Sequence, residues 1–113
     1  MNDCIFCKII SGDIPSQKVY EDELVYAFKD INPMAPVHIL VVPKEHIPTL
    51  LDVNSDNSAV ISHIYETITK LAKEFNLEQG FRVVSNCNEF GGQTVFHLHF
   101  HILGGEKLSV EMA

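Results

Sequence analysis

Basic residues are scarce in this sequence: 8 Lys and Arg stand against 15 Asp and Glu, and the formal net charge at pH 7 is −7. No segment carries the basic stripe that nucleic-acid binding requires. Long hydrophobic runs are lacking as well, and none approaches the about 18–20 residues that cross a bilayer. We therefore expect neither a nucleic-acid partner nor a membrane, and an anionic ligand must be held locally, by histidines, backbone N–H groups or a metal.

Cysteine is also sparse, with 3 residues in the chain. An odd number argues against a disulfide framework. Residues 1–4 have neither the basic nor the apolar part of a signal peptide. These absences predict a reducing compartment and a cytoplasmic protein. With 113 residues, 46% of them hydrophobic, the chain has the size and composition of one globular domain, residues 1–113.

Short apolar segments separated by turn residues predict an α+β fold with about five antiparallel strands, one main helix and a short N-terminal helix. The expected strands are residues 19–21, 24–28, 37–42, 81–86 and 96–103. Over residues 55–75 apolar side chains recur every three or four positions, as on one face of a helix. Candidate caps for this helix are Asn54, Ser55 and Asp56 before it, and Asn76 or Gly80 after it. The nearly unbroken apolar run 37–42 predicts a central strand covered on both faces.

The most regular pattern is the strict alternation over residues 96–103, which is typical of a β-strand. One side of this strand carries Phe96, Leu98, Phe100 and Ile102, and the other carries His97, His99 and His101. Burial of the apolar side would fix the register, because a slip of one residue would expose all of these side chains. Three histidines at alternate positions, close to the glycines of residues 91–92, indicate a functional site rather than a merely solvated face.

Three imidazoles on one strand can serve a metal or a reaction at phosphorus. With a rise of about 3.3 Å per residue, the Cα atoms of His97 and His101 would lie about 13 Å apart. Zn–N bonds are only about 2.0–2.1 Å long, so a single three-histidine zinc site fits poorly. A neutral imidazole is a good nucleophile near neutral pH if its other nitrogen is fixed as a donor. The loop at Gly91 and Gly92 would let backbone N–H groups approach phosphoryl oxygens.

The segment 97–102, His-Leu-His-Phe-His-Ile, resembles the signature His-φ-His-φ-His-φ-φ of the histidine-triad superfamily, in which φ is apolar. Segments 30–33, 36–46 and 91–96 are similar to its nucleoside phosphoramidate hydrolase branch, of the bacterial zinc-binding type, and the resemblance extends over residues 4–105. It implies a homodimer whose sheet continues across both subunits. It also implies a hydrolase that cleaves the phosphorus–nitrogen bond of purine nucleoside 5′-phosphoramidates, of the adenosine 5′-monophosphoramidase type. The alternatives are a dinucleoside-polyphosphate hydrolase on the same fold and a nucleotide-binding module with negligible turnover.

The resemblance also implies roles for single residues. His99 would be the nucleophile that forms a nucleotidyl-histidine intermediate, His101 would contact the phosphate, and His97 would support the network behind them. Thr94, where the family usually has Ser, would hydrogen-bond the phosphoryl or leaving group. No Mg²⁺ is required, because histidines and backbone donors carry the charge.

The implied nucleotide-binding positions surround this triad. They are Asp30 for the ribose hydroxyls, Phe6, Ile9, Ile14, Phe28 and Ile31 for the base, and Asn86, Gly92 and Gln93 for phosphate and sugar, with Thr94, Val95, His99 and His101. Asp30 and the four apolar residues Phe6, Ile9, Ile14 and Phe28 have plain structural alternatives. Asp30 is also a turn-former before an Asn-Pro pair, and the apolar side chains are also suited to core packing.

Cys4 and Cys7 form a C-x-x-C pair, which serves metal binding or redox chemistry. A structural zinc needs four ligands, and in zinc-bearing relatives the other two match His46 and His97. The resemblance therefore implies a structural zinc held by Cys4, Cys7, His46 and His97; the alternative is a pair of small buried thiols. Outside these sets we expect an interior or edge position for His38, a solvated one for His63 and a buried thiol at Cys87.

Overall fold

An antiparallel sheet with a helix on each face forms the fold, and the computed structural model describes residues 3–111. Within that range the helices are α1 (Ile5–Ser11) and α2 (Ser58–Glu74), the strands are β1 (Lys18–Glu21), β2 (Val25–Lys29), β3 (Val37–Pro43), β4 (Arg82–Val84) and β5 (Phe100–Gly104), and 3₁₀ turns cover Leu50–Asp52 and Glu89–Gly91. The strand order is β1-β2-β3-β5-β4, with antiparallel neighbours. The predicted α+β class, with a five-stranded antiparallel sheet and two helices, is confirmed.

β3 lies in the middle of the sheet and is buried along almost its whole length, as its apolar run predicted. On one face Ile39 and Val41 join a core cluster with α2. On the other face Leu40 and Val42 join a second cluster with Phe6 of α1. Burial stabilises the fold by about 1.5–3 kcal/mol for each such side chain. The strand is therefore a firm base for the residues carried by its neighbours, β2 and β5.

α1 is a short helix that starts at a cysteine. Cys4 takes the N-cap position with an extended backbone, and its Sγ accepts a hydrogen bond from the N–H of Cys7 at 3.3 Å. The helix ends at Gly12, whose φ of 90° lies in the left-handed region, where glycine is favoured. Phe6 and Ile9 are its buried residues. The two cysteines are thus held at the N-terminal end of a helix that packs on the sheet.

α2 begins at Ser58 and not at residue 55, and its N-cap is Asn57, without a side-chain bond to the helix. The predicted cap at Asn54, Ser55 or Asp56 was therefore wrong. Asn54 Oδ1 instead accepts from the N–H of Asp56, and Asn57 Oδ1 accepts from the N–H of Asn54, both at 2.8 Å. Such local side-chain bonds compete with helix formation and close a turn before it. At the other end Asn76, with φ of 59°, terminates the helix as predicted.

The strand predicted for residues 96–103 is regular only over β5, so the prediction was wrong for its first four residues. β3 ends at Pro43, and proline has no N–H with which to extend a ladder. The segment before β5 is tied to the chain after β3, since the N–H of Leu98 donates to the carbonyl of Ile47 at 2.7 Å. Leu98 is buried as expected, whereas Phe96 is 48% exposed.

The edge strand β4 is also shorter than the predicted 81–86. Ser85 lies beyond its end, and the Ser85 hydroxyl donates to the carbonyl of His99 at 3.1 Å. Within residues 3–111 no helix has both the length and the apolar character that crossing a bilayer demands.

Candidate active site and metal cluster

His99 lies just before β5, with its ring packed against the α1 side of the sheet. Its Nδ1 is 2.7 Å from the carbonyl oxygen of His97. A carbonyl can only accept, so Nδ1 carries the proton and Nε2 keeps its lone pair. The ring is further held by Phe6, whose edge meets it at 5.0 Å between centroids and 90° between planes. His99 is therefore a neutral imidazole of fixed tautomer, and the lone pair of its Nε2 is not used in this hydrogen bond.

Burial lowers the pKa of His99 below its usual value, and two weaker effects oppose it: the hydrogen bond to the His97 carbonyl and the charge of Asp30. Since the ordinary pKa of histidine is already near 6.5, the ring is neutral at neutral pH. His97 and His99 do not lie on a solvated face, since they are 0% and 6% exposed, whereas His101 is half-buried.

His38 sets the tautomer of His101, a role that the sequence did not indicate. The N–H of Met34 lies 3.0 Å from Nδ1 of His38, which must therefore be the unprotonated nitrogen. Nε2 of His38 then carries the proton and donates to Nδ1 of His101 at 2.9 Å. In turn, Nε2 of His101 keeps a proton that it can donate to a ligand. The rings of His99 and His101 lie 5.1 Å apart between centroids, so a lone pair and an N–H donor are neighbours.

Burial lowers the pKa of His101 to about 4, and repulsion by His99 and His38 acts in the same direction. In the unfolded chain this residue titrates near 6.5. The unfolded state therefore binds more protons between these two values, and the free energy of unfolding decreases as pH falls through this window. We expect His101→Gln to reduce that decrease, measured by urea unfolding between about pH 7 and about pH 5. The same pH dependence in the variant and the wild type would contradict this reading.

Asp30 has the turn-forming role that was given as its structural alternative, and it also lies beside His38. Its Oδ1 accepts the N–H of Asn32 at 2.8 Å, which shapes the turn, and its Oδ2 lies 3.5 Å from Nε2 of His38. The ligating atoms of Asp30, His38 and His101 lie within 4.8 Å of one another. Because the Met34 bond places a proton on Nε2 of His38, this group is arranged for hydrogen bonding rather than for metal binding.

The apolar positions proposed for a base pocket divide into two kinds. Phe6, Ile9 and Phe28 are buried in the cluster between α1 and the sheet, and Ile14 packs against its rim. Ile31 is 89% exposed. Together with Asp30 it borders an open cleft of about 600 Å³. Core packing therefore holds for the three buried residues. The cleft at Ile31 is otherwise lined by residues such as Ile39 and Phe75, which pack on the α2 side of the sheet.

The loop before the triad is closed by amide side chains. Gln93 is 5% exposed; its Oε1 accepts from the N–H of Asn88, and its Nε2 donates to the carbonyls of Pro48 and Val95, all at 2.8–2.9 Å. Asn86 Nδ2 donates to the carbonyl of Gly91 at 2.8 Å. The polar atoms of Gln93 are thus engaged within the protein, which makes it an organiser of the loop.

Gly92 and Thr94 complete this loop. Gly92 has φ of 84°, a conformation that favours glycine. Thr94 is exposed and lines a cavity of about 380 Å³ together with Cys4, His46 and Phe96. The loop thus ends beside Cys4 and His46, two of the four residues expected to bind zinc.

Cys4, Cys7, His46 and His97, here called the Cys/His cluster, come together as the resemblance implied, with their ligand atoms within 4.8 Å of one another. Nδ1 of His97 lies 3.3 Å from Cys4 Sγ, 3.5 Å from Cys7 Sγ and 3.2 Å from Nδ1 of His46. Tetrahedral zinc with Zn–S of about 2.3 Å and Zn–N of about 2.0–2.1 Å places its ligands about 3.3–3.8 Å apart. Nε2 of His97 donates to the Pro43 carbonyl at 2.8 Å, which leaves its Nδ1 lone pair directed at the cluster. The donor set and its spacing fit a structural zinc.

Removal of both thiols is expected to abolish metal binding. We expect about one zinc per chain in protein purified without chelator, and none in the Cys4→Ser, Cys7→Ser double variant. The melting temperature should fall by at least about 4 °C, because a bound metal stabilises the folded state. Cys87→Ser, which removes a half-buried thiol outside the cluster, should leave both measurements unchanged. Zinc retained by the double variant would place the ligands elsewhere.

The chain is similar to proteins of one family along its whole length. Residues 11–108 match the HIT domain family. The purine nucleoside phosphoramidase of Escherichia coli strain K12 is 44% identical over 110 residues, which cover 96% of this chain and 92% of that protein. The structure of a histidine triad protein from Clostridium difficile is 55% identical, with a TM-score of 0.95 and coverage of 99% and 98%. A HIT family hydrolase from Clostridium thermocellum is 45% identical, with a TM-score of 0.96 and coverage of 100% and 99%.

Proposed function

The chain belongs to the HIT domain family, and we propose that it is a hydrolase of purine nucleoside 5′-phosphoramidates, of the adenosine 5′-monophosphoramidase type. The names of the Escherichia coli and Clostridium thermocellum relatives support a hydrolase. The observation that carries the proposal is the state of His99. Its Nδ1–H is bound to the His97 carbonyl at 2.7 Å, so Nε2 offers a lone pair for attack at phosphorus.

The reaction proceeds in two displacements at the same phosphorus. Nε2 of His99 attacks the α-phosphorus, a bond forms between ring nitrogen and phosphorus, and the bond from phosphorus to the amine nitrogen breaks. The leaving amine takes a proton from water, passed through the Thr94 hydroxyl, and the ring becomes a positively charged nucleotidyl-histidine, stabilised by the His97 carbonyl. Water then attacks the phosphorus, which releases the nucleoside monophosphate and returns His99 to its neutral form.

His101 and His97 support this chemistry from either side. The Nε2–H of His101 is the donor suited to a phosphoryl oxygen, because its Nδ1 is occupied by His38 at 2.9 Å. A donor aimed at the oxygens where charge develops lowers the barrier. His97 acts through its backbone carbonyl. The buried ring of His97 holds this residue in place by donating its Nε2–H to the carbonyl of Pro43.

His38 is expected to act as a positioning residue for His101. His38→Leu removes the donor to Nδ1 of His101, so the His101 ring can take the wrong tautomer. Turnover should then fall about 10-fold, the lower end of the loss seen when an orienting partner is removed. His38→Gln can place an amide N–H near the same point and should recover part of the loss. Steady-state kinetics of both variants test this. Equal loss in the two variants would indicate a packing role only.

We propose that the nucleotide lies across α1, the turn after β2 and the loop before the triad. Asp30 and Ile31 would contact ribose and base, which the position of the Asp30 carboxylate supports: its Oδ2 lies 3.5 Å from Nε2 of His38, the partner of His101. Ile14 would lie beside them, with Phe6, Ile9 and Phe28 as the supporting wall. Asn86, Gly92, Gln93 and Val95 would hold the loop close to the phosphate. The Cys/His cluster would hold a structural zinc that fixes α1 to the segment before β5.

We also propose a homodimer. Within residues 3–111, β4 lies at one edge of the sheet and pairs with β5 alone. An edge strand offers free N–H and carbonyl groups to a second sheet. Sedimentation analysis should give the mass of two chains, and a monomer at micromolar concentration would reject this part of the proposal.

The deciding experiment is rapid-quench mass spectrometry with an adenosine 5′-phosphoramidate. We expect a transient adenylated peptide that contains His99, formed before free adenosine monophosphate accumulates. Faster turnover of dinucleoside polyphosphates than of phosphoramidates would favour the other hydrolase. Tight nucleotide binding with neither intermediate nor product would favour a binding module.

A further inference from the structure

His97 belongs to the Cys/His cluster and to the catalytic segment at once. Its ring Nδ1 lies 3.3 Å from Cys4 Sγ and 3.5 Å from Cys7 Sγ, while its backbone carbonyl accepts the Nδ1–H of His99 at 2.7 Å. The residue is 0% exposed, so it is enclosed on all sides. A movement of this ring therefore shifts the carbonyl that fixes the tautomer of His99.

Phe6 makes a second connection between the cluster and the nucleophile. It lies between the two cysteines on α1, and its ring packs edge-on against His97 at 6.0 Å and against His99 at 5.0 Å between centroids. The cysteines hold the N-terminal end of α1 at the cluster. A displacement of that end would draw Phe6 away from His99.

We propose that Cys4 and Cys7 form a reversible redox modification site, at which oxidation to a disulfide by a peroxide disables His99. The two sulfurs belong to a set of ligand atoms that spans at most 4.8 Å, whereas a disulfide requires an S–S distance of about 2.05 Å. Closing that gap moves the sulfurs off the Nδ1 atoms of His46 and His97. The His97 carbonyl and the Phe6 ring, which both hold His99, are then displaced together. Only the activity readout rests on the proposed function.

A small oxidant can reach Cys4, the first sulfur of the pair. Cys4 and Cys7 are half-buried, and Cys4 and His46 line the open cavity of about 380 Å³ that also borders Thr94. A peroxide molecule is little larger than water and fits within this space. The pair also lies three residues apart at a helix start, the arrangement of C-x-x-C dithiols that exchange with disulfides.

The oxidation balances with hydrogen peroxide as oxidant. One thiolate attacks a peroxide oxygen, the O–O bond breaks, the sulfur becomes a sulfenic acid, and the departing hydroxide takes a proton to become water. The second thiolate attacks that sulfur, the S–S bond forms, and the sulfenic oxygen leaves as a second water after protonation. The two sulfurs together lose two electrons, which reduce the peroxide. A dithiol reductant reverses the reaction.

The test uses the full chain, loaded with zinc, in a Cys87→Ser background, so that the third thiol cannot contribute. Peroxide is added, the disulfide is mapped by peptide mass spectrometry, and released zinc is measured with a colorimetric chelator. Nitrogen-15 NMR of the histidine rings follows the Nδ1–H of His99 directly, and hydrolysis of adenosine 5′-phosphoramidate is followed in parallel.

We expect a Cys4–Cys7 disulfide, release of the zinc, a shifted or lost Nδ1–H signal of His99, and turnover lower by about 10- to 100-fold, as when an orienting partner is lost. Dithiothreitol with zinc should restore all of them. A disulfide that leaves the His99 signal and turnover unchanged overturns the proposal, as does peroxide treatment that fails to join the two cysteines. If the reduced protein has no turnover but the His99 signal still responds, the coupling holds and the proposed function fails.

Discussion

Replacing His99 by alanine is expected to abolish hydrolysis of nucleoside phosphoramidates while nucleotide binding stays within a few-fold of the wild type. The substitution removes the only atom proposed to bond to phosphorus, whereas the groups proposed to hold ribose and base lie on α1 and after β2. Losing the whole nucleophilic route should reduce kcat by more than the about 10²- to 10⁴-fold that a general acid or base supplies. Single-turnover kinetics and calorimetric titration with adenosine monophosphate measure the two quantities separately.

His63→Ala is the matched control for this variant. His63 is carried by α2, where its Nε2 contacts the carboxylate of Asp22 at 2.6 Å, apart from the triad. The His63→Ala variant should keep turnover within a few-fold of the wild type, and circular dichroism should show that this variant is folded. Turnover of the His99 variant close to that of the His63 variant would reject nucleophilic catalysis by His99.

Local patterns predicted those parts of the fold that local forces determine. The apolar run of β3 and the helical periodicity of α2 arise from burial on a regular element, so the sequence predicts both elements correctly, although α2 begins at Ser58 and not at residue 55. The alternation over residues 96–103 gave the correct buried positions at Leu98 and within β5. It failed at Phe96, because whether a strand continues depends on its partner, and Pro43 ends the partner strand.

In the candidate site, too, local motifs were predicted correctly, whereas roles that depend on the tertiary structure were missed. The triad and the C-x-x-C pair can be recognised as sequence motifs. Their resemblance to a family also predicted His46 as a further member of the Cys/His cluster. The role of His38 was missed because it depends on the pairing of β3 with β5 and on a hydrogen bond from the N–H of Met34. Neither can be recognised from the spacing of residues in the sequence. The sequence did contain one signal: a histidine within a run that is otherwise apolar and buried needs a hydrogen-bond partner.

Gln93 illustrates a second limit. Its place after two glycines suggests contact with a ligand, but both polar atoms of its side chain bind backbone groups of three surrounding segments. Only the fold of the loop reveals that. The neighbouring Thr94 is exposed, so of the two it is the one whose side chain is available for chemistry.

Thr94→Val is expected to slow the release of amine leaving groups by roughly 10²-fold, the range of general-acid effects, with little effect on good leaving groups. The threonine hydroxyl can donate and accept a hydrogen bond, so it can pass a proton to the departing nitrogen. An alkylamine needs that proton to leave, whereas fluoride or a phenolate does not. Valine keeps the β-branched shape and removes only the hydroxyl. Rates with an alkyl phosphoramidate and with a fluoridate of the same nucleotide provide the measurement.

Thr69→Val makes the same chemical change on the exposed side of α2, where the Thr69 hydroxyl donates to the carbonyl of Tyr65. It should leave both rates unchanged, which controls for the substitution itself. Equal slowing of both substrates by Thr94→Val would mean that the hydroxyl positions the phosphate rather than delivering a proton. If neither rate changes, the catalytic contribution of this loop comes from its backbone N–H groups. The proton that the amine needs must then come from another donor, and the Nε2–H of His101 is available because His38 occupies Nδ1 of the same ring.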